Sequence, residues 1–171
     1  MLDECGVAGF SIEQLAARSG VAKTTIYRHW PHKVDVVVEA MHSHHEDVPT
    51  PNTGDLRADL RACFEFVRDR ELQARMGRII PSLLDAAQRD PEFAQLHERL
   101  TSQRKQPLRT VLELAQLRGK LRDDIDLDDA VDLVLGPLVS RSLLSRVEID
   151  EHFLDLVVDT AVRALAVPAL R

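Results

Sequence analysis

Five polar side chains crowd into seven positions of this chain: Lys23, Thr24, Thr25, Arg28 and His29. A cation on a long stem can reach a phosphate or the acceptor edge of guanine. A threonine hydroxyl can donate to or accept from a base edge, while its methyl meets that of thymine. The chemistry on offer is therefore recognition of duplex nucleic acid. The plainer alternative is a solvated helix face, and the turn before these residues decides against it. Elsewhere the sequence has no nucleophile elbow, phosphate loop or HExxH pattern, so no catalytic residue and no enzyme is expected. Asp123-Asp124 and Asp128-Asp129 read as caps and surface. Cys5 and Cys63 match no metal or CxxC spacing and read as two reduced thiols. His42, His44, His45 and Asp47 are the only metal-like cluster. They read as a solvated helix end, where histidine suits the C-terminal dipole, so no metal and no cofactor is expected.

The elements that must position the polar group are two short helices over 11–30, SIEQLAARSGVAKTTIYRHW. A steep helix crossing needs a small residue at the contact, and Ala16 supplies it. The turn needs a residue that tolerates positive φ, and Gly20 follows four later. The second helix needs an apolar residue facing the first, and Ile26 is six further on. Ile12, Leu15, Val21 and Ile26 are expected to form one small core. Ser11 precedes Ile12 and sits three before Gln14, as an N-cap does. A helix-turn-helix presents its second helix to the major groove, reading bases mainly from its N-terminal half.

The rest of the chain is helical by its three-and-four apolar spacing, so the fold class is all-α. The spacing predicts helices over 11–18, 22–29, 32–45, 55–69, 71–89, 91–118, 127–146 and 151–166. Asp90-Pro91-Glu92, Asp126 and Asp150 mark helix starts, and Gly119 marks an end. Pro81 and Pro107 fall inside helices; the first should kink its helix and the second should kink or split its own. The loop Pro49-Thr50-Pro51-Asn52-Thr53-Gly54 separates a head, 1–45, from a larger helical body, 55–167. Net charge is −6, but between Ser11 and Lys33 four cations face one acid, Glu13. A basic head on an acidic body suits a protein that touches DNA at one end. No stretch approaches the ~20 apolar residues of a membrane span. The acidic start, Met1-Leu2-Asp3-Glu4, is unlike a signal peptide, so a cytoplasmic protein without a membrane partner is expected.

The run from Ile12 to Lys33 resembles the DNA-binding signature of the TetR family of repressors. Tyr27, His29, Trp30 and Lys33 match the aromatic and basic places at its end. The resemblance implies that Tyr27, Lys33 and Ser11 hold phosphates and that Trp30 packs the head against the third helix. Two departures stand out. Ala22 replaces the usual Ser or Thr cap, at a cost of about 1 kcal/mol. The family's first helix should already be ending at Gly6, so it is expected to be largely missing, with the core of the head open on one side.

After about position 45 the resemblance rests on Asp90-Pro91-Glu92, on 118–126 and on Gly136-Pro137-Leu138. It implies a body that binds a small-molecule effector and forms a homodimer on a palindromic operator. Phe64, Phe66, Met76, Ile79, Leu83 and Leu84 are candidates to line the effector pocket, though ordinary core packing explains any one of them. The last two helices are apolar on more than one side, as a two-fold four-helix interface requires. Leu135, Leu138, Val139, Leu143, Phe153, Leu154, Val157, Val158 and Ala161 are the interface candidates, against a thick monomer core. The sequence thus implies a ligand-responsive, DNA-binding repressor. The alternative is a dimeric small-molecule-binding protein that has lost DNA binding through the truncated first helix.

Overall fold

The computed structural model describes residues 2–42, 50–65 and 70–167. Its helices are α1 (Leu2–Gly9), α2 (Ile12–Ser19), α3 (Lys23–His29), α4 (Lys33–His42), α5 (Leu56–Cys63), α6 (Arg70–Ala87), α7 (Pro91–Leu117), α8 (Leu127–Val139) and α9 (Glu151–Leu165). A π-helical turn, Ser140–Leu144, continues α8. No strand occurs among the described residues beyond an isolated bridge between Leu121 and Ala166. The all-α expectation holds, and so do the local signals behind it. Ser11, Asp126 and Asp150 each accept a backbone N–H of the helix they open. Asp55 does the same for α5, accepting from Ala58. Neither Pro81 nor Pro107 splits its helix. A third internal proline, Pro137, lies in α8 just before the π turn.

The chain divides into two compact units. The first comprises Met1–Val48 and Arg75–Thr101, so it takes in the end of α6 and the start of α7 as well as the head. Its core is built from Val7, Phe10, Ile12, Ile26, Val34, Val37, Ile79, Leu83, Phe93, Leu96 and Leu100. The first helix is short, as expected, with only residues 2–5 ahead of Gly6. α1 forms, with a break at Gly6 (φ 66°, ψ −179°), and beyond the break Val7 and Phe10 are buried. The break is also a close approach. The Val7 amide donates to Ser82 Oγ at 2.7 Å, and a Cβ on Gly6 would lie 2.5 Å from that oxygen. Only glycine suits both the space and that conformation.

The second unit, Pro49–Ala74 and Ser102–Arg171, is built on α5, the end of α7, α8 and α9. Leu60, Leu112, Leu121, Val134, Ile149, Leu154 and Val158 fill its centre. Arg57 pairs with Asp159, and Arg61 with Glu151 and Asp155, fastening α5 to α9. Asp59 is the one buried charged side chain among the described residues. It accepts from Thr53 N (2.8 Å), Thr53 Oγ1 (2.7 Å) and Gly54 N (3.2 Å). Burial alone would raise its pKa. The donors from Thr53 and Gly54, with the charge of Arg118, hold it below the usual value instead.

Candidate nucleic-acid interface

The interface is set by the turn between α2 and α3. Ser11 Oγ accepts the Gln14 amide at 3.2 Å and starts α2. Gly20 ends it in the left-handed region (φ 71°), its amide donating to Ala16 O at 3.0 Å. A Cβ on Gly20 would meet nothing within 4 Å, so the demand there is conformational and not one of space. Ser19 Oγ accepts the Val21 amide at 3.2 Å and holds the turn closed. α3 then runs for seven residues with Ile26, 3% exposed, as its inward anchor. Trp30 closes α3 through a 2.8 Å bond from its amide to Ile26 O, and its half-buried ring lies against that of His29.

Around Ile26 the polar residues fall as the helical period requires. Lys23, Thr24, Tyr27, Arg28 and His29 are exposed, and Thr25 is half-buried. Ile12 and Ile26 lie in the core of the unit, with Leu15, Ala16 and Trp30 packed at its edge. Val21 does not join them. It is 41% exposed, because the turn that Gly20 and Ser19 shape carries its side chain outward. Lys33, at the start of α4, is half-buried, its Nζ 5.9 Å from the Phe10 ring centroid and 5.5 Å from that of Phe93. The two rings hold its charge by cation–π attraction.

The charge pattern differs from the one the sequence suggests. Two of the four head cations are already paired. Arg18 clasps both oxygens of Glu4, its Nη2 donating to Oε1 at 2.9 Å. This bond and the charge of Arg18 bring the Glu4 carboxyl down to about 2. Lys23 Nζ donates to Glu13 Oε1 at 2.9 Å. With help from Glu13's own amide, Lys23 holds that carboxyl below its ordinary value. Arg28 has no acidic partner among the described residues. Glu4, Glu13, Phe10 and Phe93 thus hold three of the head's cations although no local motif marks them. Glu4 and Arg18 are 14 residues apart, and no helix period joins them.

The body candidates are placed differently from expectation. Ile79 and Leu83 are buried in the core of the first unit, and Phe64 in that of the second. Leu84 is 39% exposed, and the side chains of Phe66 and Met76 lie outside the described residues. Helical apolar spacing here marks core positions. An open hollow in the second unit is lined by Arg109, Gln116, Asp123, Asp124, Ile125, Asp126 and Leu127, and none of the expected lining residues borders it. Of the interface candidates, Leu138, Leu154, Val157, Val158 and Ala161 are buried within their own chain, where α8 and α9 pack on α5 and α7. Leu135, Leu143 and Phe153 are half-buried, and Val139 is exposed. The outward apolar residues are instead Leu133, Val139, Leu144, Val147 and Leu156. The His42, His44, His45 and Asp47 group lies outside the described side chains. No described helix is long and apolar enough to cross a membrane.

Two family models match the chain. Residues 1–40 match "Bacterial regulatory proteins, tetR family", and residues 50–161 match "Tetracyclin repressor-like, C-terminal domain". An uncharacterized HTH-type transcriptional regulator of Bacillus subtilis (strain 168), YdeS, is 30% identical over 162 residues, covering 93% of this chain and 81% of its own. The DNA-binding transcriptional repressor TetR of Mycobacteroides abscessus is 29% identical over 169 residues, covering 97% and 88%. Among solved structures, a TetR family transcription regulator superposes with a TM-score of 0.71 at 32% identity, over 95% of this chain and 90% of that one. The flavonoid-responsive regulator FrrA shares the fold, with a TM-score of 0.70 at 22% identity over 98% and 92%.

Proposed function

The chain belongs to the TetR family of bacterial regulatory proteins, DNA-binding transcription factors and not enzymes, and from this premise we propose that it is an effector-responsive repressor that binds a palindromic operator as a homodimer. One observation carries the reading. α3 turns Ile26 into the core and leaves Lys23, Thr24, Tyr27, Arg28 and His29 outward on a helix short enough to enter the major groove. Lys23, Thr24 and Thr25, in its first half, are the base readers. Ser11, Tyr27, Arg28, His29 and Lys33 hold the backbone, with Lys33 steadied by Phe10 and Phe93.

The second copy is supported by α8 and α9. On α8, Leu133, Gly136 and Pro137 are exposed at helical spacing, and Ser140 and Leu144 of the π turn follow. On α9, Leu156, Thr160 and Ala164 are exposed four apart. These two uncharged stripes suit a two-fold interface, which would set two copies of α3 on half-sites about 34 Å apart. Leu156→Asp should give a monomer by sedimentation, and an unchanged dimer would exclude this face. We infer as well that a small molecule binds the second unit and releases the DNA; one protein of the same fold is a flavonoid-responsive regulator. A protein acting on the bacterial chromosome works in the cytoplasm.

The test is site selection from random duplex DNA at moderate salt. An inverted repeat supports the reading. Recovery of a single half-site would retain DNA reading and remove the dimer. Enrichment of no sequence would overturn the sequence-specific reading.

A further inference from the structure

The reading of α3 as a major-groove helix leaves one contact unexplained. Lys23 is the first residue of α3, on the side meant for DNA, yet its ammonium is held at 2.9 Å by Glu13 in the first turn of α2. A lysine at such a place otherwise seeks phosphate, being a compact charge on a flexible stem. Duplex DNA offers a phosphate at every step, so a free Lys23 would bind any sequence and release a counterion in doing so. Glu13 changes that exchange. If Lys23 swings to a phosphate, a carboxylate is left unpaired beside a polyanion, and the gain is largely cancelled. The ammonium has three donors, however, and Glu13 occupies one. The other two remain for neutral acceptors within reach, which on DNA are base edges such as guanine O6 and N7.

We propose that Glu13 is a specificity-determining residue. It tethers Lys23, withholds it from backbone phosphates and fixes its ammonium as a base-edge donor. Glu13 thereby lowers affinity for DNA of arbitrary sequence without lowering affinity for the operator to the same extent. The inference rests on the proposed function of the head. Arg28, which has no acid beside it among the described residues, is left as the phosphate-seeking cation of the same helix.

The test uses the full chain as wild type, Glu13→Gln, Lys23→Ala and the double variant. The probes are a mixed-sequence duplex and the inverted repeat from site selection, each titrated across a range of salt. The two side chains are 60% and 50% exposed, so the substitutions leave the fold intact. On the mixed duplex E13Q should bind more tightly than wild type. Its dependence of log affinity on log salt should steepen by about 0.9 for each head engaged, a further loss of about 3.5-fold per head between 50 and 200 mM. The ratio of operator to mixed-duplex affinity should fall. In the K23A background Glu13→Gln should leave the slope unchanged. An E13Q slope equal to wild type would overturn the tether. So would the same steepening without Lys23, since that marks general repulsion of DNA by Glu13. If wild type binds neither duplex, the reading of the head fails and the tether fails with it. If wild type binds both and E13Q matches it, the tether alone fails.

Discussion

Replacing Gly6 by alanine tests how the head closes its core. Two costs follow from the geometry. At φ 66° and ψ −179° an alanine sits in a region that is nearly glycine-only, at about 1–3 kcal/mol. Its Cβ would also stand 2.5 Å from Ser82 Oγ and 3.0 Å from Ser82 Cβ. The hydroxyl can rotate away, but it then releases the Val7 amide that it accepts at 2.7 Å, at about 1 kcal/mol. The sum is about 3 kcal/mol, or roughly 6–12 °C in melting temperature for a chain of this size. Ser82→Ala alone should cost about 1 kcal/mol. The double variant should cost less than the two together, because without the hydroxyl the tightest clash is gone and the Val7 bond is already lost. Urea denaturation of the four proteins, followed by circular dichroism, gives the coupling. Additivity within about 0.3 kcal/mol would show that Gly6 and Ser82 do not meet as described, and a G6A loss under about 0.5 kcal/mol would refute the strained break in α1.

Asp59→Ala should cost about 3 kcal/mol in urea denaturation, since Thr53 and Gly54 lose a buried ionised acceptor. The native carboxyl lies below its ordinary 3.8, so its stabilisation is complete above that value and is lost as pH falls through the native pKa. The gap between wild type and D59A should therefore be constant from neutrality to about pH 5 and shrink below about pH 4; a gap that widens in acid would contradict this. Burial, with a smaller push from Asp59, raises the Cys63 thiol to about 12, while Cys5 is exposed. Native protein should thus titrate one rapid equivalent of an aromatic disulfide reagent and denatured protein two; two rapid native equivalents would place Cys63 at the surface. Tyr27→Phe should weaken binding alike on all duplexes, and a changed base preference would contradict its phosphate role. Thr25→Ala should relax selection at one base position by about 1–3 kcal/mol, and unchanged selectivity would remove it from the base readers.

What was legible in the sequence was whatever depends on neighbours in the chain. Ser11, Gly20, Asp126, Gly119 and Asp150 do at their places what their residue types require, and the turn of the helix-turn-helix follows from the first two. What escaped depends on residues far apart. α1 is too short and too interrupted to show a period, and the Val7 amide beyond its break donates to Ser82, 75 positions later. Glu4 looked like part of an acidic start, and its pairing with Arg18 changes how basic the head is. Apolar periodicity marks a buried face without saying what buries it. So Leu154 and Val158 were read as partner-facing, although α5, α7 and α8 already cover them, while Leu133 and Leu156 carry the outward face. Val21 shows the limit within a motif, where a turn residue adjoining a core need not enter it.

The missing cap at Ala22 has a consequence in time. α3 has seven residues, too few to persist alone, and no side chain accepts its first amides. Its order is borrowed from the burial of Ile26, so the helix opens without the rest of the head unfolding. Its amide protons should therefore exchange with solvent ahead of those of Leu15, bonded to Ser11 O, and of Val37. A serine at position 22, worth about 1 kcal/mol, should slow that exchange about 5-fold.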